Sequence, residues 1–136
     1  MIYTSQRPLL LYSLICKEKL VHKGRITFFD VQHSLAVREF PLNLPELSLH
    51  YAFLCGIDPA TLTIQISSNL PYFSSRSILA TIPRQDAMPG TKIYTNCYTL
   101  PPLLIPEPMH FEFVFQIDDT DIYRYPFWIE LAPAKS

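Results

Sequence analysis

Three acids in four positions, Asp118, Asp119 and Asp121, sit in the stretch FVFQIDDTDIYRYPFWIEL, residues 113 to 131. Clustered carboxylates hold metal ions or exchange protons, so chemistry is looked for here first. Calcium, however, asks for six or more oxygens, usually with a glycine bend and a distal bidentate acid. DDTD supplies three carboxylates and no glycine. The flanking residues offer a structural reason instead. Phe111, Phe113, Phe115 and Ile117 share one parity, and so do Tyr123, Tyr125, Phe127, Ile129 and Leu131. Directly opposed residues share a face, so odd must pair with odd. A loop of Asp119, Thr120 and Asp121 does this by setting Ile117 against Tyr123, Phe115 against Tyr125 and Phe113 against Phe127. Asp121 then takes a left-handed position, which Asp tolerates. The acids are expected to be a hairpin turn with no metal bound; a metal site and a catalytic group are the alternatives.

Other reactive residues form no motif. The chain has no GxGxxG, P-loop, HExxH, GxSxG or CxxC. Its three glycines, Gly24, Gly56 and Gly90, leave little for a phosphate cradle. His22, His33, His50 and His110 do not pair at i,i+2 or i,i+4; solvent-facing strand histidines are the expected reading, and a metal site assembled from them in space is the alternative. Cys55 or Cys97 with His50 is the conceivable nucleophile pair; alternation puts Cys55 inside and His50 outside, which argues against the first. No cofactor and no catalytic residue are expected, and the protein is read as a non-enzyme.

The outward face of the last hairpin is more informative. Its even positions include Glu112, Val114 and Gln116, then Ile122, Arg124, Pro126, Trp128 and Glu130. In the register above Trp128 opposes Glu112 and Glu130 opposes His110. A lone tryptophan flanked by Arg and Glu has the composition of a binding hot spot. Trp128, with Arg124 and Val114, is therefore an interface candidate; cover by the protein's own chain and a small ligand such as a sugar are the other readings. The loop SSNLPYFSSRS adds Tyr72, Phe73 and Arg76 as candidates, the two aromatics either touching a partner or folding back as a lid.

These side chains need strands to position them. With 13 prolines and 3 glycines, the chain has no proline-free stretch after residue 40 with a helical period. Alternation appears instead: Leu47 to Cys55 by twos, Leu62, Ile64 and Ile66, Ile78, Ala80 and Ile82, and the phenylalanines above. Such runs between turn residues read as antiparallel strands with one buried face. About eight are expected, at roughly 9–16, 25–38, 47–55, 61–67, 77–82, 92–100, 110–118 and 122–131. In RITFFDVQHSLAV the apolar parity slips, which predicts a bulge near Phe28 and Phe29 or two separate short strands. The fold class is all-β, an antiparallel β-sandwich in a single domain over 1–136. The proline-rich segments EFPLNLPEL and LPPLLIPEP are crossovers, with Phe40, Leu42, Leu103, Leu104 and Ile105 plugging the ends.

Composition bounds the function classes. The 136 residues are 49% hydrophobic and 17% charged, against about 25% charged in an average domain, so apolar surface awaiting a partner is expected. A net charge of −1 and scattered basic residues argue against nucleic acid. Cys16, Cys55 and Cys97, odd in number and far apart, read as free thiols of a cytoplasmic protein. The apolar run before Cys16 reads as a first strand and not a signal peptide. No stretch reaches the ~18 apolar residues of a membrane span.

The order of features is similar to a known pattern. LLYSLICKEKLVHKGRITFFDV runs a strand into Cys and an acid, then a glycine turn; REFPLNLPELSLHYAFLCG follows, and FEFVFQIDDTDIYRYPFWIEL closes the chain. This resembles a family of small bacterial β-sandwich domains of unknown function. The resemblance implies a fold and a bacterial, cytoplasmic setting, and carries over no catalytic residue. The expected function is a non-enzymatic protein-interaction or scaffold module, with a protein partner or a homo-oligomer; the alternative is a small-ligand or carbohydrate-binding sandwich.

Overall fold

A computed structural model describes residues 5–87 and 92–133. Among them the regular structure is all β, in twelve strands: β1 (Leu9–Cys16), β2 (Glu18–His22), β3 (Arg25–Phe29), β4 (Leu35–Val37), β5 (Leu42–Asn43), β6 (Ser48–Leu54), β7 (Ala60–Ser68), β8 (Arg76–Ile82), β9 (Ile93–Thr99), β10 (Leu104–Ile105), β11 (Met109–Ile117) and β12 (Thr120–Leu131). Eight of these correspond to the expected runs, with 25–38 yielding only β3 in its first part. The additions are short: β2, β4, β5 and β10.

Two sheets carry the core. One has three strands in the order β1-β6-β9; the other has five, β4-β12-β11-β7-β8. Every pairing in them is antiparallel except β12 with β4. The alternating runs dictate which faces meet. Leu49, Tyr51 and Phe53 of β6 turn inward, as do Leu62, Ile64 and Ile66 of β7, Phe111, Phe113 and Phe115 of β11, and Phe127 and Ile129 of β12, all at or below 1% exposure. The sheets interlock through aromatic edges, with the Tyr51 and Phe115 rings 5.8 Å apart at 80°. The crossovers close the ends: Ile105 is buried, and Phe40, Leu42 and Leu103 pack against the core, while Leu104 faces outward. Gly56 lets the chain pass between sheets, since a Cβ there would collide with the backbone of Gln6 and Arg7.

One expectation is resolved and one is corrected. Residues 25–38 take the alternative reading, two separate strands in place of one bulged strand, because Asp30 adopts a φ of 55° and breaks the run. β3 then pairs with β2 in an antiparallel hairpin, whereas β4 joins β12. The last hairpin also has a different turn. Asp118 and Asp119, at φ of 48° and 68°, form a two-residue loop, and Ile117 faces Thr120. A slip between Phe115 and Gln116 then leaves Ile122 unopposed, restoring odd-to-odd pairing with Phe115 on Tyr123, Phe113 on Tyr125 and Phe111 on Phe127. The aromatic faces coincide as expected, but each partner is displaced by two residues. A tight turn of two left-handed residues matches strand twist better than the three-residue loop, and the bulge absorbs the parity.

Candidate interaction surface

The outer face of the larger sheet is built from the residues that alternate with the core. Across it run the rows Thr63, Gln116 and Asp121; Gln65, Val114 and Arg124; and Ser67, Glu112 and Pro126, followed by His110 opposite Trp128. Trp128 is therefore set against His110, not Glu112 as the three-residue loop required. Their rings lie 4.4 Å apart at 39°. The His110 backbone is fixed by donating to Asn69 Oδ1 at 3.0 Å. Trp128 keeps 44% of its surface exposed. It precedes the segment of β12 that β4 covers, which starts at Ile129. Pro126 occupies the same uncovered stretch, where its missing N–H leaves no ladder bond unmade.

Arg124 organises the centre. It donates to Glu112 Oε1 at 2.7 Å and to Asp121 Oδ2 at 3.3 Å. Gln116 Nε2 donates to the other oxygen of Asp121 at 2.7 Å. The Gln116 hydrogen bond, then Arg124, hold the Asp121 carboxyl below its ordinary range. Val114 was expected to be outward contact surface, and here the structure differs: it is only 5% exposed. It lies on the outer face, but in a central strand between Gln65 and Arg124, whose long stems shade it. Beside it a depression of about 420 Å³ is lined by Gln65, Ser67, Ser75, Arg76, Glu112 and Arg124, among others. Arg76 also donates to the Tyr98 hydroxyl at 3.3 Å, tying edge strand β8 to edge strand β9.

The structure thus brings Trp128, Arg124 and Val114 together on one side of the larger sheet; Arg76 pairs with the inward Ile66 and reaches Tyr98 of the other sheet from the rim of the depression. Tyr72 and Phe73 do not join them. Phe73 is a lid on the core, its ring 5.4 Å from that of Phe111, because the turn from Leu70 folds it inward. Tyr72 is exposed, and its hydroxyl donates to the Leu104 carbonyl at 3.4 Å. His110, missed as a site residue, follows from register and not from residue type.

Two of the three acids make structural side-chain bonds. Asp118 Oδ1 accepts from the Thr61 backbone N–H at 2.9 Å, and the Asp118 N–H donates to the Thr61 carbonyl at 3.0 Å. Asp121 belongs to the Arg124 network. Among the described residues no group of three His, Cys, Asp or Glu is assembled to hold a metal ion, and no helix is long and apolar enough to cross a membrane.

His50 corrects a further expectation. It points to the outer face of the smaller sheet, as alternation says, yet is only 5% exposed. Phe28 of the β2–β3 hairpin lies over it, ring centres 5.4 Å apart. Burial, then the charge of Lys19, push the imidazole below its ordinary value, so it is neutral near pH 7. Its cross-strand neighbour is the exposed Cys97, but no hydrogen bond joins the two side chains. Cys16 and Cys55 are free and buried; burial pushes both thiols up, away from the reactive thiolate.

No protein-family model, no curated protein and no solved structure matches the chain.

Proposed function

We propose that this protein is a non-enzymatic interaction module of the bacterial cytoplasm, binding a protein partner or a sister subunit through the outer face of its larger sheet. The resemblance to small bacterial β-sandwich domains supplies the setting. The observation that carries the reading is Trp128, 44% exposed, packed at a tilt against His110 beside the fixed Arg124 network. Exposed Trp and Arg on a rigid base supply large contact area with little ordering cost on binding.

The test is quantitative affinity capture from the native host with the wild type, Trp128→Ala, Arg124→Ala and a distant control, Leu104→Ala. One protein retained by the wild type and the control, and lost with both face variants at unchanged melting temperature, is the expected result. Equal capture by all four ends the reading.

A second reading has its own observation. The 420 Å³ depression carries hydroxyls, an amide, a carboxylate and guanidinium groups, which suits a small polar ligand such as a sugar. Thermal shifts against a glycan panel, compared between wild type and Glu112→Gln, test it.

A further inference from the structure

The β2–β3 hairpin is an arm with exposed apolar residues on both sides, Leu20 and Phe29 on one and Val21 and Ile26 on the other. Its strands pair only with each other. The turn is tight, with Lys23 at a φ of 50° and Gly24 at 74°. The base is anchored: Lys17 N–H donates to the Phe29 carbonyl at 3.2 Å and Gln32 N–H to the Ile15 carbonyl at 2.8 Å. Phe28 is clamped between Tyr12 and His50. Phe28 pairs with Lys19; two residues nearer the tip, on the same side, comes the pair Val21 and Ile26. Phe28 is half-buried, whereas Val21 is 58% and Ile26 40% exposed. That side therefore runs past the body that covers its base. A two-stranded ribbon is marginal in water by itself, and an uncovered apolar side favours a neighbour.

Charge says which neighbour. Residues 17–29 hold Lys17, Lys19, Lys23 and Arg25 against Glu18 alone, so the arm is positive in a chain of net charge −1. None of these four cations has an ion pair among the described residues. The matching chemistry occurs elsewhere on the same chain. The hydrogen bond from Thr61 to Asp118 joins the 118–119 turn to the loop entering β7. That end carries Asp58 and Asp119, neither ion-paired among the described residues, with Ile57 (44% exposed) and Ile122 (40% exposed) nearby in sequence. Asp86 and Asp121 are ion-paired with Arg84 and Arg124; Glu46, Glu107 and Glu130 are unpaired too among the described residues, but it is at the Asp58 and Asp119 end that unpaired acids sit with exposed isoleucines. Two spare acids with two exposed isoleucines complement Lys23 and Arg25 with Val21 and Ile26.

We propose that the arm tip docks on the Asp58–Asp119 end of a second copy of this chain, joining copies head to tail. The contact uses neither Trp128 nor the outer face of the larger sheet, so it is independent of the function proposed above. An acidic lipid surface would match the arm but leave the acidic, apolar end without a role. A head-to-tail contact closes into a ring or extends, depending on the rotation it imposes.

Sedimentation of the whole protein over a wide concentration range, at low and high salt, reads the contact. Wild type self-associates, more weakly at high salt. The arm variant Lys23→Glu/Arg25→Glu and the end variant Asp58→Lys/Asp119→Asn each weaken association at least ~10-fold at unchanged melting temperature. Asn is chosen because it tolerates the left-handed backbone at 119. Mixing the two variants restores association, since one keeps a native end and the other a native arm. Trp128→Ala leaves it intact. A wild type that stays monomeric overturns the proposal, as does an unaffected charge variant, failure of the mixture, or loss of association through Trp128→Ala. Binding of monomer to vesicles containing phosphatidylserine, without self-association, would assign the arm to a lipid surface instead.

Discussion

The two tight hairpins begin alike and end differently. β2–β3 and β11–β12 both turn through two residues with positive φ, Lys23-Gly24 and Asp118-Asp119. Local chemistry makes a hairpin in each case. In β11 the apolar residues other than Val114 keep to one side, so one face enters the core while β7 and β12 satisfy both edges. In the arm they fall on both sides: Leu20 and Phe29 on one, Val21, Ile26 and Phe28 on the other. No single core can take both, and the ribbon ends with most of its length exposed. A turn decides that two strands pair; one-sidedness of the pattern decides whether the pair is buried.

The largest effect should separate the two hairpins in stability. Phe115→Ala removes a fully buried ring and is expected to cost about 3–5 kcal/mol. Val21→Ser, on the exposed arm, should cost less than about 1 kcal/mol. Chemical denaturation of both variants checks this. Equal losses would mean that the arm is covered in the monomer.

Next come the turns. Asp118→Ala removes the acceptor of the Thr61 N–H and puts a less tolerant residue in the left-handed region. About 1–2 kcal/mol is expected. Lys23→Ala, where no comparable hydrogen bond exists, should cost less. If the two cost the same, backbone conformation alone governs both turns and the bond to Thr61 contributes nothing.

The smallest effect is in pH. Burial pushes the Tyr51 and Tyr125 phenols from 10.0 up to about 12. A phenol is neutral when protonated, so a raised folded pKa means that the folded state holds its proton longer. The associated stability is complete below pH 10 and is lost as pH rises through about 12. Tyr125→Phe should flatten part of that alkaline loss, measured as melting temperature against pH. His50 works at the other end. Its folded pKa is lowered from 6.5, so its contribution is complete above pH 6.5 and lost as pH falls through the folded value. Neither transition should move in arm-tip variants; if Lys23→Glu/Arg25→Glu shifts the acidic one, the charge of the arm tip adds to that of Lys19 in lowering the His50 pKa.

The sequence by itself determined the class of fold and the sidedness of its strands. Proline spacing removed helices, and period-two alternation placed Leu49, Ile64, Phe113 and Phe127 inside, all confirmed as buried. Sidedness is legible because it depends only on parity, and parity survives a shift of two residues. That same invariance hid the register. The three-residue loop and the two-residue turn with a bulge at Ile122 bury the same aromatics, but only the second sets Trp128 on His110. The remaining decisions were tertiary. Val114 has an outward position and is buried because its strand is central; His50 is outward and buried because Phe28 folds over it; Phe73 turns inward onto Phe111 because the turn from Leu70 directs it there. Each depends on what stands opposite in space, which residue type and spacing along one chain do not specify.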